Sequence, residues 1–391
     1  MNLIELAERH FLQTQVDRRH LHRFPELAFS EFKTAEFISE RLSELGFTIK
    51  SGFGGTGLVA SYDTGKTGPA FYLRFDMDAL PIREENDFDY CSQEPGKMHA
   101  CGHDGHVAIG LTIGWMISQI QEQLRGSFHL LFQPAEEIGE GAVKMLADGV
   151  FDEIKPDYLL GVHLWNEKPL GWLGITAGPM MAASGTFKIN IVGKGGHGGQ
   201  PHTSIDPIVA SAQIIDQIQT IISRNLDPLD SAVCTVCSIH GGSSFNITPS
   251  KVELTGTTRY FTEETYSILQ QRLAEISENT GKAMNCQVDL ELEPLVSATC
   301  NDPTVVSVVK EAALKLGGQY KIDSTYKTML SEDVGAFLEQ VPGCFVLIGA
   351  GEQPDGSSYP HHHPRFNFDE RAMSLAAALL LQSCLELAEK N

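Results

Sequence analysis

The chain has 391 residues and 42% of them are hydrophobic, so it can bury a sizeable core in two or three domains. Its 50 acidic and 29 basic residues give a formal charge of −21. A field of that sign disfavours nucleic acid and anionic membranes as partners and favours solubility. The first turns carry Glu5, Glu8 and Arg9 rather than an apolar signal segment, which argues against export by that route.

Apolar runs and helical patterns alternate in the first half. Ile38, Leu42 and Leu45 recur at helical spacing, and Gly46 follows as a stop signal. Apolar runs at 70–75, 127–132 and 157–162 predict strands, and a long apolar helix is predicted over about 106–120. This alternation indicates a mostly parallel sheet with helices on both faces, an α/β domain.

The middle of the chain has a different pattern. Phe187, Ile189 and Ile191 alternate with polar residues, which is typical of a half-buried strand. The elements that follow are a helix over about 205–222, strands at 232–239 and 251–257, a helix from 262 to about 281, and a strand at 286–293. The order β-α-β-β-α-β predicts an α+β, ferredoxin-like domain with one antiparallel sheet and helices on one side.

The first type of pattern then resumes, with a buried strand at 345–348 and a closing helix from 369. The apolar run at 372–381 is ten residues long, half of the roughly 20 needed to cross a bilayer, so we expect a buried helix there. The sequence therefore predicts a catalytic domain of residues 1–182 and 294–391, interrupted by an inserted domain of residues 183–293.

Eight cysteines are scattered along the chain without the density of a disulfide scaffold, which favours a reducing, cytoplasmic compartment. Cys234 and Cys237 form a C-x-x-C pair, which is typical of redox or zinc sites. They lie in a predicted strand, where residues three apart point to opposite faces, so core packing is the better interpretation.

Candidate metal ligands follow the predicted strands of the first domain. Carboxyl ends of parallel strands meet at one edge of a sheet, where function collects. The candidates are Asp76 and Asp78 after the first strand, Glu136 and Glu137 after the second, His163 after the third, residues 99–106 before the long helix, and residues 361–363 after the last strand. Thiolate, imidazole and carboxylate together suit zinc, manganese, cobalt or nickel, and the donors exceed what one ion needs. We therefore expect two divalent metal ions.

The adjacent pair Glu136-Glu137 suggests a division of roles, because neighbouring loop residues can point apart. One carboxylate binds metal, and the other accepts a proton from an activated water and returns it to the leaving amine. A solvated acidic pair is the alternative. The glycine-rich segment 193–202 lacks the order of a phosphate loop. Its His197 is a candidate donor to an oxyanion, and these residues alone leave that role open.

At these motifs the chain resembles the aminoacylase, hippurate hydrolase and carboxypeptidase family of two-metal amidohydrolases. The similarity is strongest to the branch of bacterial N-acyl-amino-acid amidohydrolases and plant auxin-conjugate hydrolases. It extends nearly end to end, through segments 19–27, 76–81, 99–106, 133–137, 195–202, 331–333 and 362–366.

The resemblance implies a role for each matching residue. The implied metal ligands are Cys101, which bridges the ions, with His103, Glu137, His163 and His362. His361 and His363 are lesser alternatives to His362. Glu136 matches the general base. Asp76 and Asp78 stand where other branches carry a metal motif, and here they are expected to orient the ligands.

The inserted domain matches the lid and dimerisation module of the family, so a homodimer is implied. His197 matches a histidine that reaches into the partner's site in dimeric relatives, and whether it acts in cis or in trans stays open. Asn246 and Arg259 match positions that hold the substrate's carboxylate or carbonyl.

These observations predict an enzyme that hydrolyses the amide bond of N-acyl-L-amino acids, with hippurate and N-acetyl-amino acids as model substrates. A dipeptidase or aminopeptidase of the same fold is one alternative, and a non-catalytic binding homologue is another. The intact Glu136 and ligand positions disfavour the latter.

Overall fold

A computed structural model describes residues 2–351 and 358–390. Over these residues the helices are α1 (Leu3–Arg23), α2 (Phe32–Glu44), α3 (His103–Ile120), α4 (Gly141–Ala147), α5 (Pro207–Asn225), α6 (Glu263–Ala283), α7 (Pro303–Lys315), α8 (Gly335–Leu338) and α9 (Arg371–Lys390). The strands are β1 (Thr48–Phe53), β2 (Gly57–Asp63), β3 (Ala70–Asp76), β4 (Ser127–Gln133), β5 (Tyr158–Pro169), β6 (Trp172–Gly174), β7 (Gly178–Met181), β8 (Ala183–Val192), β9 (Gly196–His197), β10 (Val233–Gly241), β11 (Ile247–Thr248), β12 (Lys251–Tyr260), β13 (Gln287–Val296), β14 (Thr299–Asn301), β15 (Lys321–Asp323) and β16 (Gly343–Gly351).

The chain packs as two compact units. The first comprises Met1–Met180, Thr299–Lys327 and Asp333–Asn391, and the second comprises Met181–Ala298 and Thr328–Glu332. The second unit thus includes a short segment that lies more than 30 residues beyond the predicted boundary at 293. Such a return segment has no periodicity of its own, so sequence patterning does not reveal it.

The first unit is built on an eight-stranded sheet with the order β1-β2-β4-β3-β5-β16-β6-β15. Its four central strands, β4, β3, β5 and β16, are mutually parallel. β2 and β6 flank them in antiparallel orientation. The parallel centre matters for function because its strands all end at the same edge of the sheet.

Helices cover both faces of this sheet. On one face α3 packs so closely that a Cβ on Gly110 would lie 2.8 Å from the rings of Phe75 and Phe132. On the other face the ring of Tyr72 contacts Phe151, which contacts Phe337 of α8. Every residue of β3 is buried, as a strand covered on both faces requires. The predicted α/β architecture is confirmed.

The second unit has a four-stranded sheet with the order β10-β12-β8-β13, and all its strand pairs are antiparallel. Phe187, Ile189 and Ile191 point from β8 into a core shared with Ile214 of α5 and Leu269 of α6. The alternation in the sequence therefore identifies the buried face correctly, and the β-α-β-β-α-β order is confirmed.

Two elements differ from the sequence-based expectations. β5 runs to Pro169 instead of ending near 162, because it continues along β16 after its pairing with β3 ends at Gly161. His163 therefore lies within a strand. In β10, Cys234 is buried and Cys237 is exposed, so core packing describes only Cys234.

Helix α9 is apolar enough and long enough to cross a membrane, judged by composition and length. However, 78% of its most apolar window is buried within the protein. All residues from Ala372 to Leu381 are buried. The expectation of a buried core helix is confirmed.

The close contact between α3 and the sheet predicts a sharp stability effect. Replacing Gly110 with Ala forces a methyl group against two buried rings and should lower the free energy of unfolding by about 1–3 kcal/mol. Gln119→Ala on the exposed face of α3 is the matched control and should change it by less than about 0.5 kcal/mol. Thermal unfolding of the two variants tests this, and equal stabilities would contradict the packing described.

Candidate metal centre

Five predicted ligands converge near the carboxyl edge of the parallel strands. Glu137 follows β4, His163 lies in β5 and His103 is the first residue of α3. Cys101 precedes α3 by two residues, and His362 lies between β16 and α9. The loop order of the fold therefore brings together residues that are up to 261 positions apart in the sequence.

The donors form two groups of three that share one residue. The first group is Cys101, His103 and His163, and the second is Cys101, Glu137 and His362. Within each group the ligand atoms all lie within 4.8 Å of one another. The Cys101 sulfur is 3.5 Å from His163 Nε2, and His362 Nε2 is 3.2 Å from a carboxylate oxygen of Glu137. A shared thiolate between two groups is the arrangement that a bridging ligand requires.

Backbone carbonyls fix the tautomers of two histidines. His103 Nδ1–H donates to the carbonyl oxygen of Asp78 at 3.0 Å, and His163 Nδ1–H donates to that of Leu164 at 2.9 Å. A carbonyl can only accept, so the proton of each neutral ring is on Nδ1. Each Nε2 then carries a lone pair directed at the donor groups. Such a hydrogen bond behind the ligand is the usual support of a metal-bound imidazole.

Two buried atoms in this centre have no hydrogen-bond partner among the described residues. They are His103 Nε2 and Glu137 Oε1, and they lie 4.0 Å apart. Burial of an unsatisfied polar atom is costly, so such a pair indicates a missing partner. Burial opposes protonation of His103, yet Asp76 and Asp78 raise its pKa to about 10. The surrounding carboxylates thus favour a positive charge at this position, and a bound cation supplies it.

Asp78 supports the ligands from behind. Its two carboxylate oxygens accept from the backbone N–H groups of Glu136 and Glu137, each at 3.1 Å. Its own carbonyl holds His103. Asp78 belongs to neither donor group that contains Cys101, so these contacts give it a supporting position.

The two carboxylate oxygens of Asp76 contact His106 and Arg74. One oxygen lies 2.5 Å from His106 Nδ1, and the other accepts from Arg74 at 2.6 Å. Despite burial, His103, His106 and Arg74 hold the pKa of Asp76 well below its usual value. Asp76 also forms a third close group with His103 and His106. His106 Nε2, however, accepts from the Leu164 N–H at 2.9 Å, so both of its nitrogens are used by the protein.

Arg74 and His106 support the centre through their contacts with Asp76. Neither residue was a predicted site residue. Arg74 is fully buried and donates to Gln133 and Asp333 as well as to Asp76. A lone arginine inside an apolar strand was the available signal, because a buried charge needs partners nearby. His106 lay within the 99–106 motif, but its role depends on a backbone contact that no motif shows.

The three consecutive histidines have different surroundings. His361 Nε2 donates to the Leu164 carbonyl at 3.0 Å, and its ring packs on Trp165. His363 stacks on Tyr359. His362 alone of the three joins a donor group, and its φ of +65° lies in the left-handed region. A non-glycine residue in this region is strained, and its N–H is held by the Ala100 carbonyl at 2.8 Å.

The predicted substrate residues, His197, Asn246 and Arg259, all lie in the second unit. His197 and Asn246 are close together, because β9 pairs with β11 and the Gly198 N–H donates to the Asn246 carbonyl at 2.8 Å. Arg259 lies at the far end of β12, where it donates to the Thr258 carbonyl. The structure thus brings two of these three residues together.

Comparison with known proteins identifies the family. Residues 72–386 match the model of peptidase family M20/M25/M40. The chain belongs to this family. It is 40% identical over 374 residues to the N-acetyl-L-cysteine deacetylase of Bacillus subtilis, which covers 96% of this chain and 88% of that protein.

A plant relative and a solved structure agree with this result. The IAA-amino acid hydrolase ILR1-like 5 of Arabidopsis thaliana is 34% identical over 385 residues, with 97% of this chain and 88% of that protein covered. The Bacillus subtilis YXEP protein, described as a dinuclear metal binding peptidase of the M20 family, superimposes with a TM-score of 0.87 at 31% identity, covering 98% of this chain and 100% of that one. The present chain is a metal-dependent amidohydrolase, and its donor groups suit two divalent ions.

The two donor groups predict distinct metal stoichiometries. Replacing His163 or His362 with Ala removes a donor from one group only, so each variant should bind one ion tightly and the second at least ten-fold more weakly. Replacing Cys101 with Ala removes a donor from both groups, so both ions should bind more weakly. Elemental analysis after dialysis measures this. His363→Ala is the control and should keep wild-type metal content, and loss of metal in that variant would contradict the assignment.

Proposed function

We propose that this enzyme hydrolyses the amide bond of N-acyl-L-amino acids to a carboxylic acid and a free amino acid. The observation that carries the proposal is the position of Glu136. Glu136 directly precedes the predicted ligand Glu137 in the chain. One of its carboxylate oxygens lies 3.9 Å from His103 Nε2, and it belongs to a donor group with His103 and Glu137. A second carboxylate beside a metal centre is the arrangement that acid–base catalysis of hydrolysis needs.

The residues that would hold two ions are those of the two donor groups, which share Cys101: His103 and His163 in one group, and Glu137 and His362 in the other. Two divalent ions bound there supply Lewis acidity, which acidifies a water molecule and polarises the substrate carbonyl. Glu136 accepts the proton of the attacking water and then delivers it to the departing amine. The side chain of Glu136 is about one tenth exposed, so it lies at the margin between the buried donors and solvent.

His197 is proposed to stabilise the oxyanion. Its Nδ1 accepts from the Gly199 N–H at 2.9 Å, which places the ring proton of the neutral form on Nε2. Nε2–H is then a donor on an exposed side chain, as an oxyanion contact requires. Asn246 and Arg259 are proposed to orient the amino-acid carboxylate, for which the planar guanidinium of Arg259 is well suited.

The names of the relatives support an acylated amino acid as substrate. One is a deacetylase of N-acetyl-L-cysteine, and another is a hydrolase of IAA-amino acids. Both names describe an acyl group joined by an amide to an amino acid. The amide is the shared feature, whereas the acyl group differs.

The cysteines of the described residues are all unbridged, so a reducing cytoplasm is the compartment that we propose.

A substrate panel tests this proposal. We expect the metal-loaded enzyme to cleave N-acetyl- and N-benzoyl-amino acids and to cleave matched dipeptides with a free amine at least ten-fold more slowly. Glu136→Gln should keep the wild-type metal content and lower kcat by about 10²–10⁴-fold. Preferential cleavage of free-amine dipeptides would instead support a peptidase, and inertness on the whole panel would support a non-catalytic binding protein. Wild-type turnover by Glu136→Gln would refute the role of Glu136.

The second unit supports a homodimer. His197 and Asn246 lie near the start of β12, where the Gly193 N–H donates to the Ser250 carbonyl. Arg259 lies eight residues along β12 from Lys251, roughly 26 Å away at about 3.3 Å per residue. A substrate as long as two or three residues spans roughly 10 Å, which is shorter than this separation of backbone positions. We propose that His197 and Asn246 of one copy act on the site of a second copy, and that the second copy supplies its own Arg259.

The edge of this sheet offers a surface for such pairing. β10 is an outermost strand, so one side of its backbone has no strand partner in the sheet. Phe245 and Leu229, in loops of the same unit, are almost fully exposed. Exposed apolar side chains beside an unpaired edge strand are features that pairing with a second copy would bury.

Complementation between two inactive variants distinguishes action in trans from action in cis. We predict that heterodimers of Glu136→Gln and His197→Ala, purified through two different tags, regain about half of the wild-type activity. Each heterodimer then has one site with an intact Glu136 and an intact His197 from the other chain. Homodimers of either variant are the controls. Heterodimers no more active than these homodimers would show that His197 acts within its own chain.

A further inference from the structure

The turn that presents Glu136 has an unusual backbone. β4 ends at Gln133, Pro134 has no N–H, and Ala135 has a φ of +56°, in the left-handed region. Glu136 and Glu137 then form a single 3₁₀ turn, Glu136–Ile138. Ala135 is fully buried and is not a glycine, so its conformation is strained and must be maintained by its surroundings.

Two buried carboxylates maintain this turn. The N–H groups of Ala135, Glu136 and Glu137 are consecutive, and all three donate to carboxylate oxygens. Asp78 accepts from the last two, as described above. Glu31 accepts from the first, with its Oε1 at 3.0 Å from the Ala135 nitrogen. Hydrogen bonds to a carboxylate are stronger than those to neutral acceptors, so the turn is held at three successive points.

The position of Glu31 is itself unusual. It is the N-cap residue of α2, yet its side chain makes no capping hydrogen bond to that helix. Instead it reaches across to Ala135, and its Oε2 accepts from the Thr56 hydroxyl at 2.6 Å. The side chain is fully buried. Burial raises the pKa of Glu31 to about 7, so the protein keeps a carboxyl where its ionised form is unfavourable.

We propose that Glu31 is a positioning residue for catalysis, which orients Glu136 through the Ala135 N–H. The proposal rests on the role of Glu136 as the proton acceptor. The Glu31 carboxylate accepts from the Ala135 N–H and the Thr56 hydroxyl, and Ala135 directly precedes Glu136 in the chain. Its effect is transmitted by one peptide unit, because the Ala135 conformation sets the direction in which the next residue leaves the strand.

The two carboxylates have separable effects. Without Glu31, the Ala135 N–H is buried and unsatisfied, and the strained φ of Ala135 loses its anchor. Asp78 still holds the N–H groups of Glu136 and Glu137 and still orients His103. Removal of Glu31 should therefore change the orientation of the Glu136 side chain while the predicted ligands remain in place. A residue with a purely structural role would instead lower stability and metal binding together.

The test compares three substitutions in the full-length, metal-loaded enzyme on an N-acetyl-amino acid. Glu31→Ala should lower kcat by at least ten-fold, with KM and metal content within two-fold of wild type. Glu31→Gln should retain kcat within about three-fold, because its amide oxygen can still accept from the Ala135 N–H. Thr56→Val removes only the second anchor of the Glu31 carboxylate and should give an intermediate loss. Adding it to Glu31→Ala should cause no further loss, because Thr56 acts through Glu31.

Glu26→Ala is the matched control. Glu26 precedes the same helix and accepts from the N–H and hydroxyl of Thr34, so its loss should lower stability with kcat within two-fold of wild type. Wild-type kcat in a folded Glu31→Ala enzyme would overturn the proposal, as would a loss of activity that matches a loss of bound metal. Should Glu31→Ala fail to fold, wild-type kcat in Thr56→Val would overturn it. Glu136→Gln is assayed in parallel: if it is active, the proposed function fails, and if it is inactive, a failure belongs to Glu31 alone.

Discussion

The geometry of the centre depends most on the contacts of Asp78. Its backbone carbonyl fixes the tautomer of His103, and its carboxylate binds the N–H groups of Glu136 and Glu137. One residue therefore couples the loop after β3, the first residue of α3 and the turn after β4. Coupled through Asp78, they form a set of donors with little freedom to move apart.

Such a centre requires that buried charges be balanced in its surroundings. Arg74 serves this purpose on the side of the sheet, where its guanidinium donates to Asp76, Asp333 and Gln133. Asp333 in turn accepts from the Ala142 N–H at the start of α4, which closes the loop after β4 from its far end. A buried guanidinium needs such acceptors, because a buried charge without partners is strongly destabilising. The network gives the ligand loops a rigid support that is independent of the metal ions.

The sequence predicted the elements of the fold and a set of candidate donors that lie close together in the structure, and it predicted their supporting contacts poorly. Periodicity reveals which residues of β8 face the core, because the pattern is local. It does not reveal that β5 continues to Pro169, since that depends on pairing with β16, more than 170 residues later. The same limit applies to the tautomers of His103 and His163, which are set by carbonyls that every residue possesses. It also applies to Glu31, which resembles an ordinary helix cap until its contact with Ala135 is seen.

In the proposed function, the metal-binding donors and Glu136 have separate roles, and none of these roles selects the acyl group. In the proposed function, the donors around Cys101 hold the metal ions and Glu136 transfers the proton. None of these groups distinguishes one acyl chain from another, because each acts on the amide or on water. The relatives named for N-acetyl-L-cysteine and for IAA-amino acids differ in the group attached to the amino acid. In this proposal, selection of the acyl group depends on residues other than these donors and Glu136. Such residues can vary without disturbing Arg74, or Asp78 and Glu31 and the turn that those two carboxylates hold.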